Sequence, residues 1–231
     1  MRHKLGKLDP LPARTATIDR YQNRRSFVPA SCVYASSVAW GMDNNDRIGD
    51  CTIAGVDHLL KAWDAEVGLS DALSDVNIEQ TYFQLTGGPD SGLVERDVLD
   101  HWQNEGLFSH QIKAYAPVQL DASFLREALY LYGGVYLGVQ LPETAEEQFA
   151  AGEPWGVVPG AQIVGGHCIV MVGYNSNGAS IVTWGQRTWA TWDWMKQYLD
   201  EAWVAIGPEF VQVGKGPVVD VAALTSDLGS L

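Results

Sequence analysis

Asn44-Asn45-Asp46-Arg47-Ile48-Gly49-Asp50-Cys51-Thr52-Ile53-Ala54-Gly55 is a polar, glycine-containing loop that runs into a cysteine. The cysteine opens a helical pattern: Ile53, Val56, Leu59, Leu60, Trp63 and Val67 recur at spacings of three and four and give one apolar face. Asp50 stands at the N-cap position, and the spacing predicts a helix that runs to Glu66 and stops near Gly68. A thiol in the first turn feels the positive end of the helix dipole, which favours the thiolate. Cys51 is therefore either a nucleophile or a small buried residue that starts a core helix, and this stretch alone does not separate the two.

The rest of the chain bounds the choice. Its 231 residues, 46% hydrophobic and 19% charged, describe a folded protein large enough for one sizeable domain or two packed lobes. No apolar run approaches the ~20 residues of a membrane span. The charged start of the chain has no apolar segment behind it, so the sequence reads as having no signal peptide and as cytoplasmic or virion-associated. A net charge of −13 argues against nucleic-acid binding. The charge is uneven, because Arg2, Lys4, Lys7, Arg14, Arg20, Arg24 and Arg25 crowd the first 25 residues. Such a basic arm on an acidic body either wraps its own domain or reaches an acidic protein partner. Three cysteines, Cys32, Cys51 and Cys168, make no disulfide framework, and no metal-ligand spacing occurs; no cofactor is expected.

Taken in order, residues 1–30 read as an extended basic arm, 31–107 as a mainly helical lobe, 108–206 as a β-rich lobe, and 207–231 as a tail. Ser74 and the break at Gly87-Gly88-Pro89 bracket a second helix, and residues 93–105, with Val94, Val98, Leu99 and Trp102 on one face, a third. Residues 32–40 and 108–118 look extended, 121–132 helical, and 135–141 a buried strand. Residues 143–149 fit a further helical turn or two. His167 starts a β-rich run to Tyr174, and Asn175-Ser176-Asn177-Gly178 turns it into a second strand, 180–185. Thr191 caps a helix to residue 200, residues 202–206 form a last strand, and 218–228 are a short helix candidate in the tail. The nine tryptophans, at mixed spacing, read as core.

With Gly49-Asp50-Cys51 at a helix head, Gly165-Gly166-His167-Cys168 leading a strand, and Thr183-Trp184-Gly185 a hairpin away, residues 30–206 resemble the papain-like cysteine proteases. The likeness is greatest to the divergent members found in actinobacteria and their phages. The resemblance implies an α+β papain-like fold, in which a helical lobe carrying the cysteine helix packs against a β-barrel-like antiparallel lobe carrying the histidine, with a cleft between. It implies Cys51 as the nucleophile and His167 as its proton partner. Asn45 stands where the family has a glutamine and implies an oxyanion donor, though as a residue it reads equally well as part of the turn. Trp184 would shield the histidine. The family's orienting asparagine is replaced by Val182, and strand alternation predicts that Thr183 points away from Val182 and Trp184. Cys168 reads as core, His58 as too far along its helix to touch Cys51, and Asp46 and Asp50 as caps whose charge would raise the thiol pKa.

The resulting expectation is a cysteine peptidase or amide hydrolase acting on a peptide or protein substrate. Its rival is a catalytically weak or inactive papain-fold interaction protein, such as a phage virion accessory or capsid decoration component that uses its basic arm. Transglutaminase-like and peptidoglycan-cleaving chemistry, which use a similar Cys/His pair, form a third possibility.

Overall fold

A computed structural model describes residues 3–10, 17–18, 28–69 and 73–208. The cysteine helix, α1 (Cys51–Val67), ends where Gly68 turns left-handed (φ 75°) and the N–H groups of Gly68 and Leu69 close on the carbonyls of Ala65 and Asp64. At the other end the Asp50 side chain makes no capping hydrogen bond; only its carbonyl accepts, from Ile53 and Ala54. Helix α2 (Asp75–Thr86) is capped by the Ser74 hydroxyl, which accepts from the Asn77 N–H, and Gly87 ends it at φ 74°. Helix α3 (Glu95–Asn104) starts two residues later than its apolar spacing suggests, because the N–H and carbonyl of Leu93 are both engaged by the N-terminal segment.

The remaining elements build the sheet and the helices that pack on it. They are β1 (Cys32–Val33), β2 (Ala114–Pro117), α4 (Ala122–Tyr132), β3 (Val135–Pro142), α5 (Thr144–Ala150), β4 (Ile163–Tyr174), β5 (Gly178–Thr183), β6 (Gln186–Thr191), α6 (Trp192–Tyr198) and β7 (Leu199–Ile206). The strands form one antiparallel sheet in the order β2-β7-β3-β4-β5-β6, with β1 added beside β4. The stretches 32–40 and 108–118 supply only short strands. Strand β6 went unread because Gln186, Arg187 and Thr188 lack the apolar alternation of a half-buried strand. Strand β4 begins at Ile163, so His167 lies inside a strand and not at its start. The tail helix expected at 218–228 lies outside the described residues, as does most of the arm.

Helix α1 packs on β3 and β4 closely enough that only glycine serves at position 55, where a β-carbon would sit 2.6 Å from the Tyr136 ring. The Tyr136 hydroxyl donates to the Thr52 carbonyl at 2.6 Å, tying the first turn of the helix to the sheet. Farther along, Trp63 donates to the Tyr132 carbonyl at 3.0 Å and stacks on Trp102. Five tryptophans, Trp63, Trp102, Trp155, Trp184 and Trp194, are fully buried, so they fill the core. No helix among the described residues is long and apolar enough to cross a membrane. Trp63→Ala empties a large volume and removes its hydrogen bond to the Tyr132 carbonyl, and should cost about 3–5 kcal/mol in urea unfolding.

Candidate active site

Cys51 stands at the N-terminus of α1, facing β4, and is only 1% exposed. Its sulfur is approached by the backbone N–H groups of Cys168 on β4 and of Gly6 from the N-terminal segment, with Asp50 nearby. Burial pushes the thiol up to about 12, against the pull of those two N–H groups, and the Asp50 carboxyl adds to the rise. The helix dipole alone suggested a thiolate; desolvation outweighs it, and the thiol is neutral.

His167 is fully buried on β4. Its Nε2 lies 2.8 Å from the Thr183 hydroxyl. Thr183 does alternate with Val182, and the ladder shows that it is Thr183, not Val182, that shares the histidine's face. Val182 pairs with Val170 across β4/β5, on the opposite face of β4 from His167, so Thr183, one step on, shares the histidine's face. Trp184 does not continue that alternation, because its φ of 45° takes it out of the strand. Its indole stacks on the imidazole with centroids 4.9 Å apart. Nδ1 of His167 has no hydrogen-bond partner among the described residues, so no thiol–imidazole hydrogen bond is formed. Burial holds the imidazole well down, to about 3, and the neighbouring His3 and His58 push the same way.

Asn45 is buried beside the cysteine loop, and its Nδ2 donates to Asp50 Oδ1 at 3.1 Å. Asp50 in turn is pushed up to about 8, chiefly by burial, and stays protonated near neutral pH. His58 pairs with Asp43 at 3.2 Å, well away from the thiol. Asp43, Asp57 and His58 come close enough together to hold a metal ion. The Lys61 ammonium already takes that place, paired with Asp57 and 3.7 Å from Asp43, and the group pins the 41–45 loop to α1.

The feature that sequence reasoning missed is the N-terminal segment itself. Residues 6–8 bridge between Leu93 and Gly166 beside Cys51. Lys7 N–H donates to Gly166 O (3.3 Å), Leu93 N–H to Gly6 O (2.9 Å), and Leu8 N–H to Leu93 O (3.0 Å). A β-carbon on Gly6 would lie 1.6 Å from the Gly49 carbonyl oxygen, so the backbone passes directly over the loop that leads to the cysteine. His3 stacks on Trp184 at 4.2 Å and bonds Glu146, Lys4 pairs with Asp90, and Lys7 with Asp200 and Glu201. Asp90 also accepts from Gly49 N–H and the Tyr82 hydroxyl, linking the segment, the cysteine loop and α2. The described basic side chains of the arm are thus spent on the chain's own carboxylates. The excess of basic residues was the available signal, and the paired Gly49 and Gly6 were its unread counterpart.

This fold is papain-like. Over 90% of the chain and 98% of the other it resembles xylellain, a cysteine protease from Xylella fastidiosa, with a TM-score of 0.68 at 15% identity. It also resembles digestive procathepsin L 3 of the Tenebrio molitor larval midgut (TM-score 0.58, 13% identity, 80% of this chain and 72% of that one). A third likeness is to the cysteine protease and lectin-like domains of Cwp84, a surface layer associated protein of Clostridium difficile (TM-score 0.60, 12% identity, 89% and 57%). No family sequence model and no curated protein sequence matches the chain.

The Asp50 carboxyl gives the site a pH signature. It ionises near 4 when unfolded and only near 8 when folded, so its contribution to stability is full at low pH and is lost as pH rises across that interval. Asp50→Asn mimics the protonated acid and does not titrate. The variant should gain in thermal midpoint over the parent steadily from pH 4 to pH 8; a pH-independent difference would contradict the buried neutral carboxyl.

Proposed function

We propose that the chain is a papain-like cysteine peptidase or amide hydrolase whose groove is filled by its own N-terminal segment. The observation that carries this reading is that an extended peptide already lies beside Cys51, held by backbone hydrogen bonds to Gly166 and Leu93. A groove that accepts a strand through its backbone accepts other peptides in the same way, with side-chain pockets supplying selection.

In this reading Cys51 is the nucleophile. His167 takes the thiol proton, the sulfur attacks the scissile carbonyl carbon, and the imidazolium returns the proton to the leaving amine; water then hydrolyses the thioester. Thr183 acts through His167 as a positioning residue, one position beyond Val182, with its hydroxyl fixing Nε2 so that Nδ1 is left for the thiol. Asn45 Nδ2 carries a second N–H besides the one given to Asp50, and with the Cys51 backbone N–H it supplies the oxyanion donors. Displacement of the segment rehydrates thiol and imidazole together, which lowers the one pKa and raises the other.

A second reading is a catalytically weak papain-fold interaction protein, for instance a virion component. It draws on Val182 and on the lack of a thiol–imidazole hydrogen bond. The same experiment separates the two. Gly6→Val in the full-length chain places side-chain carbons where the Gly49 carbonyl already is and evicts the segment. The variant should hydrolyse fluorogenic peptides at least 10-fold faster than the parent. Adding Cys51→Ala should abolish turnover, and adding Thr183→Val should lower kcat by about 10–1,000-fold, the scale of a lost orienting group. A folded Gly6→Val chain that binds peptides and hydrolyses none would establish the second reading instead.

A further inference from the structure

The side chain of Lys7 is fully buried, which is rare for a lysine and needs a built receptor. Its ammonium lies 2.9 Å from Asp200 and 3.2 Å from Glu201, with the Glu95 carboxyl also acting on it. Burial alone would lower the lysine pKa, but the three acids outweigh it and raise it. The receptor is organised on its own terms. Asp200 is held by Gln140 (2.6 Å) and Glu201 by the Trp203 indole N–H (2.9 Å). Glu95 is completely buried, and that burial holds its carboxyl well above the usual carboxylate range, with the Cys168 thiol beside it. The stem of the lysine passes over Gly138, where a β-carbon would lie 2.3 Å from Lys7 Cε and 2.5 Å from Glu201 Cγ. Any other residue at 138 would close the pocket.

Two carboxyl groups, Asp200 and Glu201, close on one ammonium, beside the backbone positions that hold Lys7 in strand pairing. Resting on the peptidase reading, we propose that this pocket is the subsite that selects substrates, and that it takes a lysine side chain from an extended peptide pairing with Gly166 and Leu93. Lys7 is then the occupant supplied by the chain itself. The backbone hydrogen bonds are indifferent to sequence, so discrimination rests on the ammonium and its acids. A linear side chain without the charge would leave Asp200 and Glu201 without their counter-ion.

The test uses the full-length Gly6→Val/Cys51→Ala chain and a fluorescent peptide copying residues 3–10, with lysine or norleucine at the Lys7 position. Anisotropy should give a Kd at least 10-fold weaker for the norleucine peptide, and Glu201→Gln should narrow that ratio. Equal affinities, or no binding by the folded variant, would overturn the proposal. With Cys51 restored, turnover of lysine and norleucine substrates should differ in the same sense. Binding preference without any turnover would refute the peptidase reading and leave the subsite standing; turnover without preference would do the reverse. Lys7→Met in the otherwise unaltered chain provides a check that does not need eviction. Amide exchange at Leu8 and Leu93 should quicken at least 10-fold, and unchanged exchange would show that the acids do not hold the lysine.

Discussion

Gly6 and Gly49 meet backbone to backbone, and the meeting is possible only because Gly6 carries no side chain: a β-carbon there would lie 1.6 Å from the Gly49 carbonyl oxygen. The contact sets an extended segment over the loop that delivers Cys51, and strand-like hydrogen bonds to Leu93 and Gly166 hold it on both sides. Much else follows from that placement. Helix α3 starts late because Leu93 is engaged, His3 stacks on Trp184, and the Gly6 N–H lies against the thiol. Ion pairs from Lys4 and Lys7 fasten the segment at two points, one partly exposed and one buried. The exposed pair contributes little by itself. The buried one sets the Lys7 ammonium against Asp200 and Glu201 with no exposed side-chain surface of its own.

The same placement accounts for the electrostatics. A cysteine at a helix N-terminus and a nearby histidine invite the expectation of a thiolate–imidazolium pair. In the covered site, desolvation drives both groups to their neutral forms, the thiol upward to about 12 and the imidazole downward to about 3. The covered state is therefore chemically quiet as well as sterically closed. The Thr183 hydroxyl, 2.8 Å from Nε2, holds the imidazole on the same face of the sheet.

Much of this architecture was legible in the residues, and the reasons for the gaps are specific. The ends of α1 and α2 were readable because Gly68, Ser74 and Gly87 are local devices whose effect does not depend on the rest of the chain. The strands around His167 and the turn at 175–178 were readable from apolar runs and turn chemistry. Strand β6 was not, because its pairing with β5 is set by register and not by its own polar sequence. Thr183 was missed for a related reason: strand alternation holds only while the strand lasts, and the positive φ of Trp184 ends it. Lys4 and Lys7 showed only as part of a charge excess. Their partners Asp90, Asp200 and Glu201 are far away in sequence, and nothing local marks them as a receptor.

The central claim is that the N-terminal segment covers Cys51, and alkylation of the native full-length chain addresses it most directly. Cys32 is half-buried while Cys51 and Cys168 are buried. Iodoacetamide followed by peptide mass mapping should modify Cys32 first in the parent, with Cys51 as slow as Cys168. In Gly6→Val, Cys51 should become the fastest of the three, while Cys168 stays protected. Rapid modification of Cys51 in the parent, or no change on evicting Gly6, would contradict the account.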